Sequence, residues 1–150
     1  MSYPIVIKPD YYQNKETNNP QPLEKIVGIS STETLSGADT SSVTLSYQRI
    51  AQNLWLVSWP GVLFTASATD TLICPLSTDI FQKGTTNLIS GQYSQSLSII
   101  NNALDSPATV LFDGSAAVPQ MEFSLLGNNF TSGQAVSINR ERFLIMIDDY

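Results

Sequence analysis

The chain has 150 residues, 42% of them hydrophobic and only 13% charged, with a net charge of −6. That is enough chain for one domain with one core, and it is too apolar and too sparsely charged for a disordered segment. Seven basic residues, scattered apart from Arg140 and Arg142, face thirteen acidic ones, so no nucleic acid and no anionic membrane is expected as a partner.

Residues 1–25 read as an extended arm. Pro4, Pro9, Pro20 and Pro22 remove backbone donors and bias their neighbours away from helix. Tyr3, Tyr11, Tyr12 and the run Ile5-Val6-Ile7 carry more apolar area than a solvated tail needs. Two readings stay open: a frayed terminus, or an arm that lies on a neighbouring subunit through Tyr11 and Tyr12. Met1 to Asp10 lacks the charged region and apolar run of a signal peptide. No stretch reaches the roughly 18–20 apolar residues that span a bilayer. A soluble protein, made in a cytoplasm and without membrane insertion, is the expectation.

Residues 26–150 read as a single β-sandwich domain. Ile26 to Ile29 is a short first strand. In Val43 to Arg49 apolar and polar residues alternate, the period of a half-buried strand. Ala51-Gln52-Asn53 turns the chain into a second strand, Leu54 to Trp59, bulky on both faces. Pro60-Gly61 stops it. Further strands are expected at Val62 to Phe64, Thr71 to Cys74, Leu88 to Ser90 and Gln95 to Asn101. Ala108 to Phe112 runs into Asp113-Gly114, a short-range hairpin signal. Gln120 to Leu125, Ala135 to Asn139 and Arg142 to Ile147 complete the set. Helix signals are poor, because β-branched residues, serine and threonine fill the windows without a 3.6-residue apolar repeat. The expected fold is all-β: an antiparallel β-sandwich of the jelly-roll type with an extended N-terminal arm.

Little chemistry is available. Without histidine there is no Ser-His-Asp or Cys-His arrangement and no histidine-based metal site. The lone Cys74 cannot form an intrachain disulfide and reads as a small buried hydrophobe. No glycine-rich phosphate loop occurs. Glu122, Asp105, Asp113, Asp148 and Asp149 are the carboxylates that a glycoside hydrolase would need in pairs. Asp113 belongs to a turn, Glu122 should face outward opposite Met121 and Phe123, and the last two lie at the C-terminus. Asp148-Asp149 with a loop carbonyl is the only calcium candidate. No catalytic residue, no cofactor and no metal is expected, and the chain should not be an enzyme. Trp55 and Trp59 are the candidates for a ligand or partner surface, since aromatic faces stack on sugars and side chains. They lie four apart on one strand and so on one face; the alternative is that this face is core.

Val43 to Arg49, the short turn, and Leu54-Trp55-Leu56-Val57-Ser58-Trp59-Pro60 resemble the opening hairpin of small trimeric fibre-head domains. These occur at the C-termini of phage and giant-virus fibre or collagen-like proteins, with a jelly-roll fold related to the C1q and tumour-necrosis-factor heads. Ala135 to Tyr150 is similar to their closing strands, so the resemblance spans roughly residues 40–150. Cys74-Pro75-Leu76 stands where that family often has Leu-Pro, and the arm stands where a collagen-like or coiled-coil stalk would be. The resemblance implies a non-enzymatic virion structural protein: a minor capsid, penton or fibre-head subunit. Its implied partners are copies of itself in a homotrimer or other symmetric oligomer, other capsid proteins and host glycans. A carbohydrate-binding module or receptor-binding head is the alternative.

Overall fold

The computed structural model describes residues 29–39, 42–67 and 70–148. The arm, with Tyr11 and Tyr12, lies outside the described residues. Twelve strands follow in order: β1 (Ile29–Thr34), β2 (Ser42–Ala51), β3 (Leu54–Trp59), β4 (Val62–Thr65), β5 (Leu72–Pro75), β6 (Gln82–Lys83), β7 (Thr86–Asn87), β8 (Gln92–Asn101), β9 (Leu104–Asp113), β10 (Gln120–Leu125), β11 (Ala135–Ile138) and β12 (Glu141–Met146). One short helix, α1 (Thr78–Phe81), precedes β6. A four-stranded sheet runs β1-β2-β3-β12, and a six-stranded sheet runs β4-β11-β8-β9-β10-β5. All the pairings are antiparallel.

The pairing is nested. β8 and β9 form the innermost hairpin, β5 pairs with β10 outside it, β4 with β11, and β3 with β12. A ribbon folded back on itself and then wrapped around a core has this order, which is the jelly-roll arrangement. The wrap crosses between sheets twice, at Pro60-Gly61 and at Asn139-Arg140. The two crossings touch: a Cβ on Gly61, whose φ is +88°, would stand 3.2 Å from the Arg140 nitrogen. Glycine supplies both the left-handed conformation and the close approach.

Period-2 patterning decides which side chains enter the core. In β3 the odd residues Trp55, Val57 and Trp59 are buried, and in β10 Met121, Phe123 and Leu125. Across the sheets Trp59 lies 5.0 Å from Phe123, centroid to centroid, and its indole N–H donates to the Ile138 carbonyl at 3.0 Å. Phe143 of β12 packs edge-on to Phe112 and Phe123. Cys74 is fully buried, and burial pushes its thiol well above the ordinary range.

Four expectations need correction. β1 has no apolar alternation and follows β2 by backbone pairing from Ile29↔Tyr47 to Thr34↔Ser42, so side-chain periodicity could not reveal it. Leu88 to Ser90 is not a strand; only Ile89 makes an isolated bridge, to Ile147. Asp113-Gly114 is not a two-residue hairpin but opens a longer loop before β10. The tight turn is Asn102-Ala103 instead, with φ of 50° and 66°, between the paired Asn101 and Leu104. β9 therefore begins earlier than Ala108 and contains Pro107. The Pro107 carbonyl accepts from the Leu126 N–H just past the end of β10, so its missing donor removes no ladder bond.

Candidate functional site

Two concave surfaces stand out, one with Trp55 among its lining residues and the other at the Trp59-Pro60 end of β3. The first is an open end of the sandwich beside the β2–β3 hairpin. β2 is irregular between Arg49 and Ala51, and the chain turns at Gln52-Asn53. The Arg49 guanidinium ties that turn, donating to the Ala51 carbonyl at 3.2 Å and to the Gln52 carbonyl at 2.7 Å. The Asn53 carbonyl accepts from the Ile147 N–H at 3.0 Å, and the Leu88 carbonyl from the Asp148 N–H at 2.7 Å. Facing the turn is α1, anchored by Phe81, which is fully buried against Tyr47 and Trp55. Asp79 and Ile80 of that helix then line the other wall with Gln82 and Lys83. The result is a groove of about 330 Å³ with Trp55 among its lining residues.

The two tryptophans divide here. Trp59 is fully buried in the core, so its expected role as a ligand surface is corrected: the ring is enclosed by the second sheet. Trp55 is 9% exposed, and that remnant belongs to the groove. Its ring face is not free for stacking, since Phe81 packs edge-on at 6.0 Å.

The second surface is the outer face of the four-stranded sheet. The register lines up Ser30, Ser46, Ser58 and Arg142 across its four strands. Arg140 and Arg142 flank a cleft of about 240 Å³ with Thr44, Ser46 and Ser58. One row further along, the same face turns apolar. Leu56 pairs with Leu144 and Leu54 with Met146, and Leu144 and Met146 are 43% and 45% exposed. β3 and β12 are thus apolar on both faces. That was the available sequence signal: a strand needs a second apolar face only if something covers it.

Of the carboxylates that sequence alone singled out, Asp149 lies outside the described residues. Glu122 faces out of β10 and accepts from the Gln120 amide at 2.6 Å, and Asp113 is held by Ser115. Those hydrogen bonds from Ser115 keep the Asp113 carboxyl below the ordinary carboxylate range. Among the described residues no three histidine, cysteine, aspartate or glutamate side chains come together as metal ligands. No helix of the described residues is long and apolar enough to cross a membrane.

No protein-family model matches the chain, and no curated protein matches it by sequence. Solved structures do. The reovirus attachment protein sigma1, in complex with alpha-2,3-sialyllactose, is similar over 99% of this chain and 80% of its own, with a TM-score of 0.55 at 12% identity. The carboxy-terminal domain of the turkey type 3 siadenovirus fibre, avirulent form, complexed with 3-sialyllactose, is similar over 81% of this chain and 99% of its own, with a TM-score of 0.50 at 11% identity. The chain has the fold of viral attachment-protein heads.

Proposed function

We propose that the chain is a non-enzymatic head subunit of a virion, which assembles with copies of itself and presents a glycan-binding surface to a host cell. The observation that carries this reading is the attachment-head fold, shared with two viral proteins whose structures hold sialyllactose. The histidine-free sequence supports a binding role over a catalytic one. The assembly is a homotrimer or another symmetric oligomer, and its interface is the outer face of the four-stranded sheet. Leu54, Leu56, Leu144 and Met146 form a contiguous aliphatic strip there, and exposed strips of that kind mark subunit contacts. Minor capsid and penton positions fit the same subunit, with other capsid proteins as neighbours.

Two measurements on the whole chain test this. Sedimentation should show an oligomer, and a mammalian glycan array should show binding. A monomer at high concentration would remove the assembly half. An array without hits would remove the receptor-binding half and leave a purely structural virion role.

A further inference from the structure

We propose that the cleft flanked by Arg140 and Arg142 binds the oxyanion of an acidic glycan, a carboxylate or a sulfate ester on a terminal sugar. This rests on the glycan-binding part of the reading above and adds both a location and a ligand class. Register builds the cleft. On the outer face of the four-stranded sheet, Ser58 of β3 stands between Ser46 of β2 and Arg142 of β12 in one row. The short side chain in the middle strand leaves a floor, and Arg140, just before β12, joins Arg142 in the lining. Both arginines are exposed, and neither has an ion pair or hydrogen bond among the described residues. Arg49, by contrast, is tied to the β2–β3 turn.

The lining supplies donors for a group that can only accept. A guanidinium is a planar fork of N–H groups that matches two oxygens of a carboxylate or sulfate. The Ser46 and Ser58 hydroxyls make no hydrogen bond among the described residues and can each donate one more, while the Thr44 hydroxyl is engaged with that of Thr32 at 2.9 Å. Pro60, exposed at the rim, gives apolar surface for the C–H face of a sugar ring. The volume, about 240 Å³, falls below the roughly 300–1,000 Å³ of drug-sized sites, so the cleft suits one terminal sugar rather than a longer chain.

Charge favours an anion here although the whole chain carries −6. Two guanidinium groups face one carboxylate in the lining, that of Glu141. Strand alternation sends Glu141 to the side of β12 that carries Phe143 and Ile145, whereas Arg142 points outward with Leu144 and Met146. The cleft shares its sheet face with the aliphatic strip but not its rows. Leu56↔Leu144 and Leu54↔Met146 lie toward the β2–β3 turn, and Ser58↔Arg142 lies toward Pro60-Gly61. A subunit contact confined to the strip leaves the cleft at its rim.

The test follows the Ser58 and Arg142 amide resonances of the ¹⁵N-labelled full chain during separate titrations with 3′-sialyllactose, lactose 3′-sulfate and lactose. At least one acidic probe should move both signals while lactose leaves them in place; a response to the first alone assigns a carboxylate, and to the second alone a sulfate. Added salt should weaken the response, because the cleft is open to solvent. Arg142→Gln, at an exposed side chain, should weaken it roughly tenfold or more, as expected for losing a charge-assisted hydrogen bond, and Arg140→Gln should weaken it in the same direction. Lactose acting as strongly as the acidic probes would overturn the ligand class. Signals unmoved by all three, or a response that survives both substitutions together, would overturn the site. An oligomer that dissociates in the double variant would also overturn it, by giving the two arginines to assembly. Acidic-glycan array hits that persist in the double variant would overturn this cleft and leave the attachment reading standing.

Discussion

The Tyr93 hydroxyl of β8 sits on the free edge of β12, donating to the Leu144 carbonyl at 3.1 Å and accepting from the Met146 N–H at 2.8 Å. One phenol therefore occupies the place where a further strand would pair. Ser90 extends the cover, its N–H donating to the Met146 carbonyl at 2.9 Å. Open edges invite pairing with other chains, and here a side chain from the opposite sheet closes one. Tyr93→Phe should lower stability by about 0.5–1.5 kcal/mol for each bond lost. It should also increase thioflavin-reactive aggregation on heating. A variant with wild-type melting and no added aggregation would show that the edge is protected by something else.

Tyr47 links three elements. Its hydroxyl bonds the Ser31 hydroxyl at 2.9 Å and accepts the Ser77 N–H at 3.1 Å, and burial raises its pKa from 10.0 to about 12. Between those values the unfolded chain has lost the proton and the folded chain has kept it. Rising pH then favours unfolding, so Tyr47's contribution is complete below about pH 10 and disappears by about pH 12. Burial raises the Cys74 thiol and the Tyr93 phenol as well, with the same sign. Denaturant melts from pH 8 upward should show falling stability above about pH 9–10. Tyr47→Phe should reduce that decline and cost about 1–3 kcal/mol at neutral pH, because the Ser77 N–H is left buried without its acceptor.

Ala103 occupies the left-handed region at a φ of 66°, where a side chain costs about 1–2 kcal/mol. Ala103→Gly should therefore stabilise the β8–β9 hairpin, even though glycine loses more entropy on folding, with a net gain of about 0.5–1 kcal/mol. Thermal unfolding of the single variant is the measurement. A lower melting temperature would mean that the Ala103 methyl makes a contact worth more than the strain.

Gly114 is required for a different reason. A Cβ there would stand 2.1 Å from the Ile89 carbonyl oxygen and 2.7 Å from that of Gly91, both backbone atoms. The Gly114 N–H also donates to the Gly91 carbonyl at 2.6 Å. Gly114→Ala must displace this junction, at a cost of about 1–3 kcal/mol typical of overpacking. Gly84→Ala, which meets nothing within 4 Å but has a φ of +62°, is the comparison: it should cost only the left-handed strain. Equal melting temperatures for wild type and Gly114→Ala would disprove the steric account.

The assembly reading is tested by removing greasy surface without touching the core. Leu144→Ser with Met146→Ser should dissociate the oligomer in sedimentation while leaving the monomer folded, since both side chains point outward. Deleting residues 2–24 should likewise weaken the oligomer with little change in melting temperature. An intact oligomer in the double variant would move the interface elsewhere; an unfolded truncation would make residues 2–24 part of the domain.

Much of this protein is determined by local pattern. Alternation marks Val43 to Arg49, Leu54 to Trp59 and Gln120 to Leu125 as strands, and the lack of histidine restricts the chemistry before any fold is known. The antiparallel sandwich follows, because strands of this length with one apolar face must pack that face against another sheet. Pairing partners and turn sites do not follow so directly. Asp113-Gly114 has the better hairpin sequence, yet the chain turns at Asn102-Ala103, because ten paired residues on each side, from Gln92↔Asp113 to Asn101↔Leu104, outweigh one strained alanine. Periodicity also places Trp55 and Trp59 on the same face and cannot separate them. What separates them is the second sheet: it closes over Trp59 at Phe123 and Ile138, while Trp55 lies at the open end beside Gln52, Asn53 and Asp79. Face is a property of one strand, whereas cover depends on where the opposite layer ends, and that is set only when the whole chain has wrapped.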